Sequence, residues 1–370
     1  GTFGRGFYVL DDFSALREIN QTLIQKEADL LPISPAKMYN TWTPLVSLGS
    51  PDKGFQGEMF YSADNPTRGA VIKYWVKEGV SSLAAERKKR EAAQFKNGEA
   101  IPYPTPEEYA AEQNEKPSYL VFTITDQSGD VVSELRQGYK KGLNQVVWDM
   151  TYMNFENINA RQNSESQSLS SSGIYVVPGT YTVEMNAVVK GAFQDWGITS
   201  KVQLNELNNR TIPSNDWAAM ASFKKDAAEL VNAIGLVSNY MREVQTRFNE
   251  LIASAKTLPI KESLDRLEEI AKMESRYDEL NQMLNGNSIL NRLDIDGDYS
   301  MRQRAQNALY DVFGSLSNIT GTSENNLRIA SEEFSNLLKE VQSFESEMDQ
   351  LIMDDEGPTM NGQLPKWRNN

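Results

Sequence analysis

The chain has 370 residues, of which 39% are hydrophobic and 24% charged. This length and composition are typical of two or three globular domains with an ample core. The net charge of −14 disfavours nucleic acid and anionic lipid as partners, since both are negatively charged. The chain has no Cys and no His, which excludes thiol nucleophiles and disulfides and removes the commonest general acid–base and zinc-binding side chain. We therefore expect no catalytic residue, no cofactor site and, in the absence of a long apolar run, no membrane span.

The chain opens with GTFGRGFYVLDD, in which apolar residues alternate after a glycine-rich turn. This pattern predicts a β-strand. We interpret residues 1–13 as the last strand of a sheet whose other strands lie upstream. Residues 14–35 are interpreted as a linker with an amphipathic turn or short helix, which ends at Pro32 and Pro35 because proline stops helices.

Residues 36–210 consist mainly of short alternating apolar runs separated by turn signals such as Pro178-Gly179. Seven or more such runs predict an antiparallel β-sandwich. Within it, Leu120, Phe122 and Ile124 should share one face of a strand. Residues 156–173, rich in Ser, Asn and Gln, indicate a polar loop.

Residues 79–116 interrupt this pattern, because they are rich in Ala, Glu, Lys and Arg. They predict a helical insert made of two helices around the rigid segment IPYPTP. One interpretation is a solvated helical excursion, because helices with mixed charges usually face water. The other is a docking surface, for which Tyr103 and Tyr109 would supply the contacts.

From residue 214 the apolar residues recur at three- and four-residue spacing, which predicts helices. Four such stretches joined by short connections predict an antiparallel four-helix bundle over residues 214–353. The first helix, over residues 214–256, should span about 64 Å at 1.5 Å per residue and bend near Gly235. Thr322 or Ser323 is the predicted N-cap of the fourth helix. Residues 354–370 form an acidic tail.

Several motifs in this chain resemble a known family when taken in order. They are GTFGRGFYVLDD at residues 1–12, Ala63-Asp64-Asn65-Pro66, Gly69-Ala70-Val71-Ile72, Ile101-Pro102-Tyr103-Pro104, GLNQVVWD at residues 142–149 and PGTYTV at residues 178–183. The chain resembles the C-terminal region of bacterial BNR-repeat, sortilin-like β-propeller proteins, which are often labelled glycosyl hydrolases. Its sandwich is also similar to the immunoglobulin-like module of the flagellar hook-capping protein. One departure is Phe3, where the family usually has His.

The resemblance implies a multidomain β + α protein: a propeller-closing strand, an immunoglobulin-like sandwich with a helical insert, and a helical bundle. It further implies an extracytoplasmic location in the periplasm, at the cell surface or in the medium. The expected partners are the chain's own upstream β-propeller and other envelope or surface proteins. The expected function is therefore a non-catalytic structural and protein-interaction region. The alternative is an accessory module of a glycoside hydrolase or glycan-binding propeller protein.

Two groups of side chains are candidate binding residues. Asp294, Asp296 and Asp298 in LDIDGDYS offer oxygen ligands for a metal, but the spacing does not fit an EF-hand loop. An interhelical loop with Asp298 or Ser300 as N-cap is the other interpretation. Trp42 and Trp75, together with Tyr74 and Trp196, are candidates for stacking against a sugar, although aromatic residues in strands are usually buried or interfacial. Trp148 is predicted to fill the space between two sheets.

Overall fold

A computed structural model of the chain shows a mixed α+β protein. It describes residues 12–39, 67–153, 171–207, 212–213, 216–293, 295 and 297–353. The strand predicted at residues 1–13 therefore lies outside the described residues, except for Asp12 and Phe13. The described residues divide into two compact units, the first ending at residue 207 and the second beginning at residue 212. None of the described helices combines the length and apolar character needed to cross a membrane.

The first unit contains most of the described strands. In chain order its elements are α1 (Ser14–Glu18), α2 (Gln21–Gln25), β1 (Ala28–Leu30), β2 (Ala36–Met38), β3 (Ala70–Val76), α3 (Leu83–Asn97), α4 (Pro106–Gln113), β4 (Tyr119–Thr125), β5 (Val131–Gly138), β6 (Gly142–Trp148), β7 (Thr151–Met153), β8 (Ser171–Tyr175), β9 (Gly179–Val189) and β10 (Ala192–Glu206). One sheet has the order β1-β3-β6, a second has the order β2-β10-β9-β4-β5, and β7 pairs with β8. All neighbouring strands are antiparallel except β2 and β10.

Aromatic rings connect the two larger sheets. Every second residue of β3 is buried, which places Tyr74 in the core, where its ring lies 4.9 Å from that of Phe122 in β4. Trp148 in β6 lies 5.2 Å from Tyr181 in β9 in an edge-to-face arrangement. As the alternation in β4 predicts, Phe122 is fully buried together with Leu120 and Ile124.

Residues 14–35, interpreted from the sequence as a linker, contribute to the first sheet. Strand β1 pairs with β3, with Ala28 opposite Val76. Leu23 and Leu31 are buried with Ala15 against Trp75 of β3. The segment is ordered because it covers the side of β3 that would otherwise expose the Trp75 ring. Three residues are too few for an alternating pattern to reveal β1 in the sequence.

The second unit is helical. Its elements are α5 (Trp217–Ala255), α6 (Ile260–Asn285), α7 (Ser288–Arg292), α8 (Met301–Phe313) and α9 (Gly321–Met353). The four longer helices share one apolar core, in which Leu251, Leu337 and Phe344 are completely buried. The rings of Phe248 and Tyr277 meet edge to face at 5.7 Å and join α5 to α6. Helix α5 continues without interruption through Gly235.

Side-chain caps fix where the last two helices begin. Ser300 is the N-cap of α8, and its hydroxyl and the side chain of Gln303 form a capping box. The N-cap of α9 differs from the prediction of Thr322 or Ser323. Thr320 occupies that role, because its Oγ1 accepts a hydrogen bond from the backbone N–H of Ser323 at 3.1 Å. Ser323 is itself buried and donates to Asp311 at 2.6 Å, which links α9 to α8.

Candidate functional site

Helices α3 and α4 form the predicted insert, and one arginine joins them. Arg87 donates to both carboxylate oxygens of Glu112, at 2.6 and 3.0 Å, and to Glu91 at 2.8 Å. These hydrogen bonds raise the pKa of Arg87 and lower that of Glu112. The backbone N–H of Leu83 also donates to Glu115 at 2.8 Å, which connects the start of α3 to the residues after α4. The pair of helices is thus held by polar contacts.

Local capping fixes both ends of the insert's connection. Gly98 ends α3 in the left-handed conformation, at a φ of +72° that favours glycine. Thr105 begins α4 with a capping box to Glu108, and Pro106 occupies the first helical position, which needs no N–H donor. The segment between these caps, which contains IPYP, is therefore anchored on both sides.

The insert exposes large apolar side chains. Tyr103 is 97% exposed, Phe95 78% and Tyr109 55%, and Ile101 is exposed as well. We call these four residues the insert surface. Neither α3 nor α4 contains a buried residue, so the insert adds nothing to the apolar core. Phe95 was not predicted; a single aromatic residue in a charged helix was the only signal in the sequence.

Charge does not set the insert surface apart. Residues 79–116 contain 6 basic and 7 acidic residues, which leaves a net charge of −1, whereas the whole chain carries −14. The basic residues at 87–90 do not form a positive patch, since Arg87 is neutralised by two glutamates and Arg90 lies 3.9 Å from Glu108. Recognition by the insert surface would therefore depend on its aromatic side chains.

The aromatic residues proposed for sugar stacking do not form an open platform among the described residues. Trp75 is half-buried, and its indole N–H donates to the carbonyl of Lys26 at 3.2 Å. Tyr74 points into the core, where its hydroxyl pKa is raised by burial. Trp196 is half-buried and contacts the ring of Tyr139 at 5.9 Å. Trp42 lies outside the described residues.

The candidate metal residues are only partly described. Asp298 is exposed, whereas Asp294 and Asp296 lie outside the described residues. Within the described ranges, no three acidic side chains lie close enough together to hold a metal ion. Ser300, two residues beyond Asp298, serves as the N-cap of α8.

Three of the family-like motifs meet around Trp148. Gly69 is the first residue of the motif at residues 69–72, and a Cβ there would lie only 2.4 Å from the carbonyl oxygen of Trp148. Trp148, in the motif GLNQVVWD, is fully buried and donates its indole N–H to the carbonyl of Thr151 at 3.0 Å. Tyr181, in the motif PGTYTV, packs against the ring of Trp148. These motifs therefore serve core packing. The chain matches no protein-family model, no curated protein and no solved structure.

Proposed function

We propose that this chain is a non-catalytic structural and protein-interaction region. In this proposal it is the C-terminal part of an exported bacterial propeller protein of the BNR-repeat, sortilin-like type, located outside the cytoplasm in an envelope or surface assembly. The observation that carries the interaction role is the insert surface: Phe95 is exposed on α3, Tyr103 is exposed in the connection that follows it, and neither α3 nor α4 contains a buried residue. Tyrosine and phenylalanine are enriched where proteins bind one another.

The insert favours binding because its shape is fixed before a partner arrives. The contact of Arg87 with Glu112 and the caps at Gly98 and Thr105 hold the exposed rings in a defined arrangement. A surface ordered in advance loses less conformational entropy on association. An element that served only to cover the core would instead contain buried residues.

The architecture proposed for the first unit is an immunoglobulin-like sandwich. The ring contacts of Tyr74 with Phe122 and of Trp148 with Tyr181, each between residues of the two different sheets, support it. For the second unit we propose an antiparallel four-helix bundle formed by α5, α6, α8 and α9. The shared core of these helices and the short connections from α5 to α6 and from α8 to α9 support that arrangement.

The proposed connection to an upstream propeller rests on the first described residues. Asp12 lies at the end of the predicted propeller strand and forms an ion pair with Lys73 of β3 at 2.6 Å. The hydrogen bond from Lys73, aided by those from Ser14, lowers the pKa of the Asp12 carboxyl. The chain leaving that strand would therefore be attached to the first sheet.

A photo-crosslinking amino acid placed at Tyr103 tests the interaction role in cells that make the full-length protein. Tyr310 of α8 is a matched control position, because it is 80% exposed and lies in the other unit. We expect one defined protein adduct from position 103 and none from position 310. Tyr103→Ser should abolish co-purification of that protein without changing the melting temperature.

The same variants distinguish the glycan-binding alternative. Tyr103 stands between two prolines, and such a rigidly held exposed ring is also suited to stacking on a sugar. Binding to a glycan array that is lost in Tyr103→Ser, without any protein adduct at position 103, would favour the accessory-module alternative. If position 103 gives no protein adduct and the chain binds no glycan, both roles are rejected for the insert surface.

A further inference from the structure

Two adjoining clefts lie in the helical unit, the smaller between α5 and α8 and the larger between α5, α6 and α8. Their volumes are about 230 and 380 Å³, and both clefts are lined by Ser238, Arg242 and Arg302. We call the two together the arginine cleft. A water molecule occupies about 30 Å³ in the liquid, so the space admits a small solute and its hydration.

Helical spacing brings the lining residues together from three elements. Ser238 and Arg242 are four residues apart in α5, and therefore lie one turn apart on the same face. Arg302 is the second residue of α8. From α6, Asn281 and Asn285 follow at the same four-residue spacing, and Asn285 donates to Asn281 at 2.7 Å. Arginine side chains from two different helices thus face one space.

Neither arginine forms an ion pair with a described residue. Arg242 donates instead to the amide oxygen of Asn239, and Arg302 donates to the hydroxyl of Ser238. The Nε–H of Arg302 is buried and has no hydrogen-bond partner in the described part of the chain. One guanidinium donor in the arginine cleft is therefore left without an acceptor.

The positive charge in the cleft is unfavourable in this arrangement. Burial lowers the pKa of Arg302, and the nearby charge of Arg242 lowers it further. The N-terminus of α8, where Arg302 lies, adds the positive end of the helix dipole. Residues with acidic side chains do not line either cleft. A bound anion would relieve all three effects.

We propose that the arginine cleft binds a compact dianion that carries phosphate or carboxylate oxygens. Two guanidinium groups supply two positive charges and paired N–H donors, which match the oxygens of either group. The amides of Asn281 and Asn285 line the same space and offer further hydrogen bonds. The volume is near the lower end for ligand pockets, which favours a small ion over a nucleotide. The site goes beyond the proposed function and does not depend on it.

Direct binding measurements on the full chain test the site. Inorganic phosphate and succinate are titrated separately by calorimetry at constant ionic strength, and phosphate is also followed by ³¹P line broadening. We expect a single site for at least one dianion, weakened at least about tenfold by Arg242→Gln or Arg302→Gln, because each removes charged hydrogen bonds. Binding of phosphate only would indicate a phosphate-bearing ligand, and binding of succinate only a dicarboxylate.

Arg304→Gln is the matched control, because Arg304 lies in α8 but does not line either cleft. This variant should bind as the wild type does; an equal loss would attribute binding to general charge attraction and overturn the site. Absence of binding by the wild-type chain would overturn it as well. A melting temperature without added anion gives an independent readout: Arg302→Gln should leave it unchanged or raise it. A fall without any anion binding would make Arg302 a purely structural residue.

Discussion

Lys224 is a buried lysine whose charge should reduce the stability of the helical unit. It lies in α5 and is only 1% exposed, and its ammonium donates to the carbonyl of Ser315 at 3.1 Å. Burial lowers its pKa from 10.5 to about 7. The unfolded chain therefore binds a proton more readily than the folded one between pH 7 and about 10.5.

The sign and size of the effect follow from linkage. Stability rises with pH wherever the unfolded state binds more protons, so the second unit should become more stable between pH 7 and pH 10. The difference between the two pKa values of Lys224, at about 1.4 kcal/mol per unit, corresponds to about 5 kcal/mol of unfavourable free energy below pH 7. The chain has no His and no Cys, so few other groups titrate between pH 7 and about pH 9, below the range in which tyrosines lose their protons.

Lys224→Met removes the charge while keeping an unbranched side chain of similar length. It loses the hydrogen bond to Ser315, which costs about 1–3 kcal/mol. At pH 6 we expect a net gain of about 2–4 kcal/mol in the free energy of unfolding, because about 5 kcal/mol of burial cost disappears. The gain should vanish towards pH 10, where the wild-type lysine is neutral in the folded state. Urea unfolding of the full chain, followed by circular dichroism at 222 nm, measures it.

Lys225→Met is the matched control, since the neighbouring Lys225 is exposed. It should change the free energy of unfolding little at any pH. The reasoning about Lys224 is refuted if wild-type stability is flat between pH 7 and pH 10 and Lys224→Met is less stable at every pH. That result would show that the fold fully stabilises the charged ammonium of Lys224.

Three further substitutions test the first unit. Arg87→Met should speed amide hydrogen exchange in both α3 and α4, because it removes the paired contact with Glu112; unchanged exchange would mean that other contacts hold the insert. Gly69→Ala should lower the free energy of unfolding by about 2 kcal/mol or more, since a Cβ would meet the carbonyl of Trp148 at a φ of +130°, and a neutral effect in denaturation would contradict that geometry. Trp148→Phe should cost about 1–3 kcal/mol, measured in the same way, because the carbonyl of Thr151 loses its donor; full stability would show that water replaces the indole.

Regular periodicity made the main elements predictable. In β3 the alternation of Ile72 and Tyr74 with Lys73 and Trp75 gives a buried and a half-buried side. The three–four spacing in α5 likewise gives a helix that begins within a few residues of the predicted start. These patterns are local, because one period of a strand or helix contains all the information that they need.

Two kinds of feature could not be predicted from the sequence: the choice between equivalent residues, and contacts between residues far apart in the chain. Thr320, Thr322 and Ser323 are all suitable N-caps, so composition alone does not select Thr320. The meeting of Arg242 and Arg302 joins residues that lie sixty positions apart in the chain, and only the packing of α5 against α8 places them side by side. No spacing rule applies at that distance.

Two pairs of arginines differ in whether their partners are charged or neutral. Arg87 and Arg276 each contact two glutamates, as expected in a chain with 51 acidic and 37 basic residues. Arg242 and Arg302 contact neutral side chains, although carboxylates are the more abundant partners. A paired arginine that is neutralised by mutation leaves its glutamates without a counter-charge, and the fold loses stability. For Arg302 no such loss of stability is expected, because neutralising it relieves repulsion from Arg242, and the variant should be impaired only in its binding of the dianion.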